Sequence, residues 1–414
     1  MKTQARTAAV PFPSFAAAGR ALMALLLAGA YWLGVQPSLG KVDPVFLLVP
    51  SLLLIPLSAY FYVLVRRFFR TVLAGRSGKA QEAAALAVST AALVPSMEIF
   101  GTPVMLVLHV AVLGLCMEIL YALTARTGAV RAAWWRTLYL SSAVPFLGMA
   151  LLAGYGAWNI RRPVHTAYTI HTEKALPPGG YTVALVTDLH YGNALGAEDL
   201  RRDAAAIAAE KPDLVLLGGD IVDEETTMQG MKEAFAILGG IPAKDGVYYV
   251  YGNHEKALYR SDAAFTPKDL EEDIPAAGIA ILEDRSVALP SGLTLTGRAD
   301  RSDEMRTGVP RASSAALMEG LDPGAYHILL DHQPRYFEDN AAAGYDLMLS
   351  GHTHNGQIWP LGLIVQALDK GTILYGHEVR GGMDVIVSSG LVGWGYPLRT
   401  EGHSEYVTVH LTNG

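Results

Sequence analysis

The chain has few charged residues and almost no cysteine for its length of 414 residues. Charged side chains make up 17% of the sequence, against about 25% in an average soluble domain. The single cysteine, Cys116, excludes an intrachain disulfide and any metal site built from several thiolates. The formal net charge of −7 provides no broad basic surface, so we expect no nucleic-acid partner.

The scarcity of charge is concentrated before residue 160, where apolar runs approach or exceed the length of a membrane span. A spanning helix needs about 20 apolar residues. The runs cover residues 21–35, 44–65, 83–124 and 138–158, and the third is long enough for two helices with a turn near Gly101. We therefore predict an all-α transmembrane region of about five spans over residues 1–160, followed by a turn-rich linker over residues 161–180.

Lysine and arginine clusters between these runs predict the orientation of the chain in the membrane. With five spans, the clusters around residues 2–6, 66–79 and 126–136 all lie on the cytoplasmic face. We therefore predict an integral protein of the cell membrane with an extracytoplasmic C-terminal domain. Four spans would place that domain in the cytoplasm, and Arg161 and Arg162 favour this alternative. Glu98 and Glu118 lie within apolar runs, where acids mark a transport path in some proteins.

Residues 181–414 have the pattern of a mixed α/β domain. Short apolar strands, such as 181–187 and 214–217, alternate with helical segments such as 198–211. The number of strands is sufficient for two sheets packed face to face.

Five polar clusters each follow one of these short apolar strands. In extended backbone, residues two apart point the same way, so Asp188 and His190 can reach one ion together. Ligands at the carboxyl ends of strands converge on one crevice, and carboxylate with imidazole suits Mn, Fe or Zn. The sequence therefore predicts a shared metal site formed by Asp188-Leu189-His190, Gly219-Asp220-Ile221-Val222-Asp223, Gly252-Asn253-His254-Glu255, Asp331-His332 and Gly351-His352-Thr353-His354.

The order of the clusters resembles the calcineurin-like metallophosphoesterase superfamily, whose pattern is D-x-H, G-D-x-x-D, G-N-H-[DE], H and G-H-x-H. Together with the apolar runs, it is similar to the membrane-associated YkuE/YaeI-like branch. One departure is Asn355, where that branch usually has glycine. The resemblance implies a four-layer αββα sandwich over residues 181–414 and two divalent metal ions.

The resemblance also implies a role for each matched residue. The first ion would bind Asp188, His190 and His354, and the second would bind Asn253, His332 and His352. Asp220 would bridge both ions, and His254 would act as the general acid or would hold the phosphoryl oxygen. Asp223 would support the ligands, Glu255 would orient His254, and Asp331 would orient His332.

The implied reaction is hydrolysis of a phosphodiester or pyrophosphate bond by water that the two ions activate, with a lipid-linked substrate as one option. Trp359, Trp394 and Tyr396 follow the ligand motifs and are candidates for an apolar wall. The alternatives are a transporter or a membrane sensor with an accessory metal-binding domain. The apolar region shows no internal repeat, and no ligand of the pattern is missing, so the sequence favours the enzyme. It gives no oligomeric state.

Overall fold

The structure is a computed structural model that describes residues 44–97, 101–127, 132–256 and 263–413. The predicted first span, 21–35, and Glu98 lie outside these residues. The chain divides into two compact units, one within Met1–Leu152 and one over Ala153–Gly414.

The described part of the chain before residue 160 is helical, as its composition predicts. The third apolar run forms two helices, and the second of them begins directly after Gly101. The helices are α1 (Pro44–Val72), α2 (Gly78–Leu93), α3 (Thr102–Thr127), α4 (Ala133–Ser141) and α5 (Ala143–Asn159), with a short 3₁₀ turn at Pro95–Met97.

One described helix, Thr102–Arg126, is long and apolar enough to cross a membrane. Helices α4 and α5 together reach the same threshold, but they are bent by 61° at the break between them. Core helices of soluble proteins and signal sequences can have the same length and composition, so these helices indicate membrane association only weakly.

Glu118, one of the two acids in the apolar runs, is paired within the helical unit. Its carboxylate accepts a hydrogen bond of 2.6 Å from Arg67 Nη1 and another from the Tyr139 hydroxyl. Because an arginine neutralises it, Glu118 gives no support to a transport path.

Two six-stranded mixed sheets form the second unit. The first has the order β1-β12-β2-β3-β4-β5, in which β2 to β5 run parallel. The second has the order β10-β11-β9-β8-β7-β6, in which β7, β8, β9 and β11 run parallel. The strands are β1 (Val164–His171), β2 (Tyr181–Val186), β3 (Leu214–Leu217), β4 (Val247–Tyr249), β5 (Ile279–Ile281), β6 (Arg285–Ala288), β7 (Thr294–Gly297), β8 (His327–Leu330), β9 (Leu347–Ser350), β10 (Gly376–Arg380), β11 (Met383–Val387) and β12 (Glu405–Thr412).

Three buried apolar clusters show how these sheets are covered. Both sheets contribute to one cluster, with Leu185 and Leu216 from the first sheet and Leu330 and Leu349 from the second. Helices cover the other face of each sheet, because continuous apolar strands are buried on both sides. The helices of this unit are α6 (Ala197–Ala209), α7 (Met228–Gly239), α8 (Pro267–Ala276), α9 (Arg301–Thr307), α10 (Ser314–Met318), α11 (Phe337–Ala343) and α12 (Leu361–Leu368). The prediction of a mixed α/β domain with two sheets is confirmed.

The predicted linker, residues 161–180, contains strand β1. This strand pairs along its whole length with β12, with Val164 opposite Glu405 and His171 opposite Thr412. Turn-forming residues lie on either side of Val164–His171, but its own β-branched and aromatic residues favour a strand. The compact unit therefore begins before residue 181, and the stretch predicted as a linker is in part an edge strand.

Candidate metal centre

The five polar clusters lie where parallel strands of the two sheets end. Asp188, Asp220 and Asn253 follow β2, β3 and β4 of the first sheet, and His332 and His352 follow β8 and β9 of the second. Carboxyl ends of neighbouring parallel strands lie at the same edge of a sheet, so each sheet delivers its ligands to one place.

The predicted ligands form two groups that share one carboxylate. One group consists of Asp188, His190, Asp220 and His354, with one possible ligand atom from each lying within 4.8 Å of the others. The second consists of Asp220, His332 and His352 under the same limit. Asn253 extends the second group, because its Oδ1 lies 3.2 Å from His332 Nε2. All seven predicted ligands therefore meet in one place, with Asp220 between the two groups.

Two glycines allow the ligand loops to approach so closely. A Cβ on Gly252 would lie 2.2 Å from Asp220 Oδ1, and a Cβ on Gly351 would lie 2.2 Å from Asp188 Oδ2. Any side chain at either position would displace a carboxylate of the site.

The backbone at the ligands differs from the extended form assumed for the sequence. Asp188 and His190 have φ values of 53° and 44°, and His352 and His354 have values of 72° and 50°. These left-handed conformations are sparsely populated by non-glycine residues and concentrate at functional sites. Asp188 and His190 do share one group, but His352 and His354 belong to different groups.

Hydrogen bonds fix which nitrogen of two histidines faces the centre. His332 Nδ1 lies 2.8 Å from the Gly218 carbonyl oxygen, which only accepts, so Nδ1 carries a proton. His190 Nδ1 likewise lies 3.1 Å from Asp223 Oδ2. In the neutral ring, the Nε2 atom of each histidine then presents a lone pair to the centre, as in histidines that bind metals.

The chemistry of the converging atoms fits a cation. His332 Nε2 lies 3.1 Å from Asp220 Oδ2 and 3.2 Å from Asn253 Oδ1, and both oxygens are acceptors. Two ring nitrogens among the described residues, His190 Nε2 and His354 Nδ1, are buried without a hydrogen-bond partner. Buried polar atoms that lack partners are costly, and a shared cation would satisfy them.

Without a cation, protons have to balance the charge of the carboxylates. Burial opposes the charge of Asp220, yet His332 and His254 beside it hold its pKa well below the ordinary value. Burial also opposes the charge of His332, but the Asp220 carboxylate raises its pKa well above the ordinary range. Burial and the neighbouring His332 lower the pKa of His352 to about 4. One proton on His332 therefore occupies the place that a cation would take.

The calcineurin-like phosphoesterase family model matches residues 181–356, which contain all seven ligands. This segment belongs to the calcineurin-like phosphoesterase family. The resemblance of the five motifs to this family is therefore confirmed.

Relatives of the chain carry the same domain. An uncharacterized metallophosphoesterase of Helicobacter pylori J99 is 32% identical over 231 residues, which are 55% of this chain and 59% of the relative. The uncharacterized metallophosphoesterase YkuE of Bacillus subtilis is 29% identical over 50% of this chain and 70% of its own length. A transmembrane protein with metallophosphoesterase domain from Danio rerio is 27% identical over 76% of this chain and 72% of its own length. The chain thus spans about three fifths of the Helicobacter relative.

The residue that holds His254 in the phosphoesterase domain is Glu224, not Glu255. His254 Nδ1 lies 2.9 Å from Glu224 Oε2. Glu255 instead accepts the backbone N–H groups of Ile221, at 2.7 Å, and Gly252, at 2.8 Å. The prediction for Glu255 was wrong because its carboxylate turns back toward the two ligand loops.

Asp331 does not orient His332 either. Its Oδ1 lies 3.1 Å from Arg311 Nη1, and its Oδ2 lies 3.6 Å from Arg298 Nη1. The ring of His332 is held by Gly218 instead. Asp223, by contrast, does support a predicted ligand, because it holds His190.

Arg399 is a buried residue of the site that sequence reasoning missed. Its Nη1 donates to the His354 carbonyl oxygen at 2.7 Å, and its Nη2 donates to the Ser389 carbonyl oxygen at 2.7 Å. Nε donates to the Val392 carbonyl oxygen at 3.2 Å. The guanidinium thereby ties the His354 loop to the loop after β11. Burial lowers the pKa of Arg399 to about 10, so it stays charged at neutral pH.

The three predicted wall aromatics differ in position. The Trp394 ring centroid lies 5.1 Å from that of His254, and Trp394 is half-buried. Tyr396 lies behind it, with a centroid distance of 6.2 Å, and is buried. Trp359 is half-buried and anchored through its backbone N–H, which donates to Thr400 Oγ1 at 3.0 Å. The ring of Trp394 therefore packs against the candidate general acid.

Proposed function

We propose that the chain is a membrane-anchored, dinuclear-metal phosphoesterase that hydrolyses phosphodiester or pyrophosphate bonds. The observation that carries this proposal is the sharing of Asp220 by two groups of metal-ligating side chains. A carboxylate that belongs to two such groups is suited to bridging a pair of cations.

The residues fit divalent Mn, Fe or Zn, because they combine carboxylate, amide and imidazole ligands without thiolate. Asp188, His190 and His354 would hold one ion, and Asn253, His332 and His352 would hold the other, with Asp220 in common. When bound, such ions act as Lewis acids and lower the pKa of water. Asp223 and Gly218 hold the Nδ1 atoms of His190 and His332, which leaves the Nε2 atoms as the nitrogens that would bind the ions.

His254 is the residue that we assign to proton transfer. Its ring lies beside that of His190, with a centroid distance of 5.2 Å, and its Nδ1 is held by Glu224. Burial opposes its charge, but Asp220 and Glu224 raise the pKa of His254 to about 9. A protonated imidazole at this position can stabilise the phosphoryl oxygens and donate a proton to the leaving group.

Membrane attachment is supported by the apolar helices and by the relatives. The helix Thr102–Arg126 is of spanning length, and the Danio rerio relative bears the name of a transmembrane protein. Attachment to the cell membrane would concentrate the site near lipid headgroups, which supports a lipid-linked substrate. The lysine and arginine clusters support an extracytoplasmic domain, and a reporter fused to the C-terminus tests that face.

The function is tested with the full chain purified in detergent and supplied in turn with Mn, Fe and Zn. Its hydrolysis of a phosphomonoester, a phosphodiester and a lipid pyrophosphate is measured beside its metal content. We expect about two ions per chain and the highest kcat/KM for a diester or pyrophosphate. A chain that stays metal-free in every supplemented buffer, or that prefers the monoester, would overturn the proposal.

A further inference from the structure

Helix α12, Leu361–Leu368, exposes almost all of its apolar residues. Its sequence, LGLIVQAL, contains no charged residue. The side chains of Leu363, Ile364, Val365 and Leu368 are 55%, 47%, 41% and 82% exposed. A helix that is apolar on all sides is normally buried in protein or in lipid, and exposed apolar patches of this kind mark interaction surfaces.

The helix is attached to the loop that carries the ligand His354. Gly356 and Gly362 are so close that a Cβ on Gly356 would lie 2.3 Å from Gly362 Cα. The Gly362 N–H donates to Glu401 Oε2 at 2.9 Å. The first turn of α12 is therefore fixed next to the metal centre, while residues 363–368 point into solvent.

The surroundings of α12 favour lipid as its partner. Trp359 lies two residues before the helix and Lys370 lies two residues after it, and the intervening Asp369 is paired with Arg335 at 3.4 Å. Aromatic and basic residues flank apolar segments that lie at membrane interfaces. The same chain carries the spanning-length helix Thr102–Arg126, and α5 runs into the compact unit that begins at Ala153. Covalent attachment of this kind would keep α12 near a bilayer.

We propose that α12 inserts its exposed apolar side chains into the membrane surface and thereby orients the metal centre toward phosphoesters of lipid headgroups. This inference rests on the membrane attachment in the proposed function and deepens it by naming the contact surface. A substrate whose apolar part remains in the bilayer could then present its phosphoester to the site beside His354.

The test measures the surroundings of α12 in the full chain reconstituted into lipid nanodiscs. Cys116 is replaced by alanine, and a nitroxide is attached at Ile364→Cys or Leu368→Cys. The control label is placed at Lys268→Cys in α8, where the lysine side chain is 81% exposed. Collision of each label with oxygen, which enriches in lipid, and with a water-soluble nickel chelate is measured by power saturation.

We expect both α12 labels to collide more with oxygen than with the nickel chelate, and the control label to show the opposite. Equal access of nickel to all three labels would overturn the proposal. Low access of both reagents at α12 would also overturn it, because protein would then cover the helix. A chain that does not co-elute with lipid would refute the membrane attachment itself.

A second readout uses activity and separates this inference from the proposed function. The variant Ile364→Asn/Leu368→Asn is compared with Val379→Asn, which changes an apolar residue of β10 that is 60% exposed. We expect the first variant to lower the ratio of hydrolysis of a vesicle-borne diester to that of soluble bis(p-nitrophenyl) phosphate at least tenfold. An unchanged ratio would overturn the inference about α12. A parent chain that contains no metal would instead count against the metal centre of the proposed function.

Discussion

Asp220→Asn is the substitution that tests the shared metal centre most directly. The asparagine keeps the size of the side chain and can still accept a hydrogen bond from the backbone N–H of His254, which donates to Asp220 Oδ1 at 3.0 Å. It removes the negative charge from the atom that lies 3.1 Å from His332 Nε2 and 3.7 Å from His190 Nε2. The change therefore affects both candidate ions without opening a cavity.

The expected effect follows from electrostatics. Opposite unit charges about 4 Å apart attract with about 4 kcal/mol at an effective dielectric constant of 20. Each ion carries two charges, so at about 1.4 kcal/mol per factor of ten it should bind at least about a thousandfold more weakly. We expect kcat/KM for bis(p-nitrophenyl) phosphate to fall by at least the same factor, and the metal content of purified protein to fall well below that of the parent.

Metal content is measured by inductively coupled plasma mass spectrometry, and turnover is measured with the full chain. Asp213→Asn is the control, because Asp213 lies outside the centre and accepts the Thr182 N–H at 2.8 Å. It should leave both readouts unchanged. If Asp220→Asn retains its metal and its turnover, the assignment of Asp220 to two ions is refuted.

Three further outcomes follow from the same geometry. Glu224→Gln should slow hydrolysis of an alkyl phosphodiester about 10- to 100-fold, because His254 loses its charged partner. The same variant should slow hydrolysis of a p-nitrophenyl diester less than threefold. Equal losses on the two substrates would contradict a role of His254 in proton donation. Metal binding at pH 7 should release about one proton, because Asp220 raises the pKa of His332 and a cation competes with the proton on that ring. The metal affinity should therefore weaken as the pH falls. Binding heats that do not vary with the ionisation enthalpy of the buffer would disprove this release. Arg399→Leu should lower the free energy of unfolding by about 3 kcal/mol, because three carbonyls lose their donor, and an unchanged urea midpoint would show that other contacts hold these loops.

The side chains that converge in the candidate centre could be found from the sequence because each is tied to a local pattern. A short apolar strand followed by a polar residue is visible without any tertiary information, and strands such as Tyr181–Val186 and Leu214–Leu217 lie where expected. Parallel strand ends then bring the ligands together without any further assumption. The assumption of extended backbone at Asp188 and His190 was nonetheless wrong, because both residues adopt left-handed conformations.

The partners of the ligands could not be predicted because they depend on how loops fold back in space. Glu255 follows His254 in the chain, yet Glu224, thirty residues earlier, holds its ring. Arg399 lies 45 residues after His354 and contacts its backbone rather than its side chain, so no motif marks it. Asn355 shows the reverse case, because its φ of 50° explains why glycine is common there and why asparagine is tolerated.

The division of the ligands between two sheets links metal binding to the stability of the domain. Asp188, His190 and Asn253 follow strands of one sheet, whereas His332 and His352 follow strands of the other. An ion held by both sets would add a cross-link at the carboxyl edges of the strands, where the shared apolar core ends. Removal of the ions by a chelator would then weaken the packing of one sheet on the other. The metal-free domain should therefore begin to unfold where the carboxyl ends of the two sheets meet.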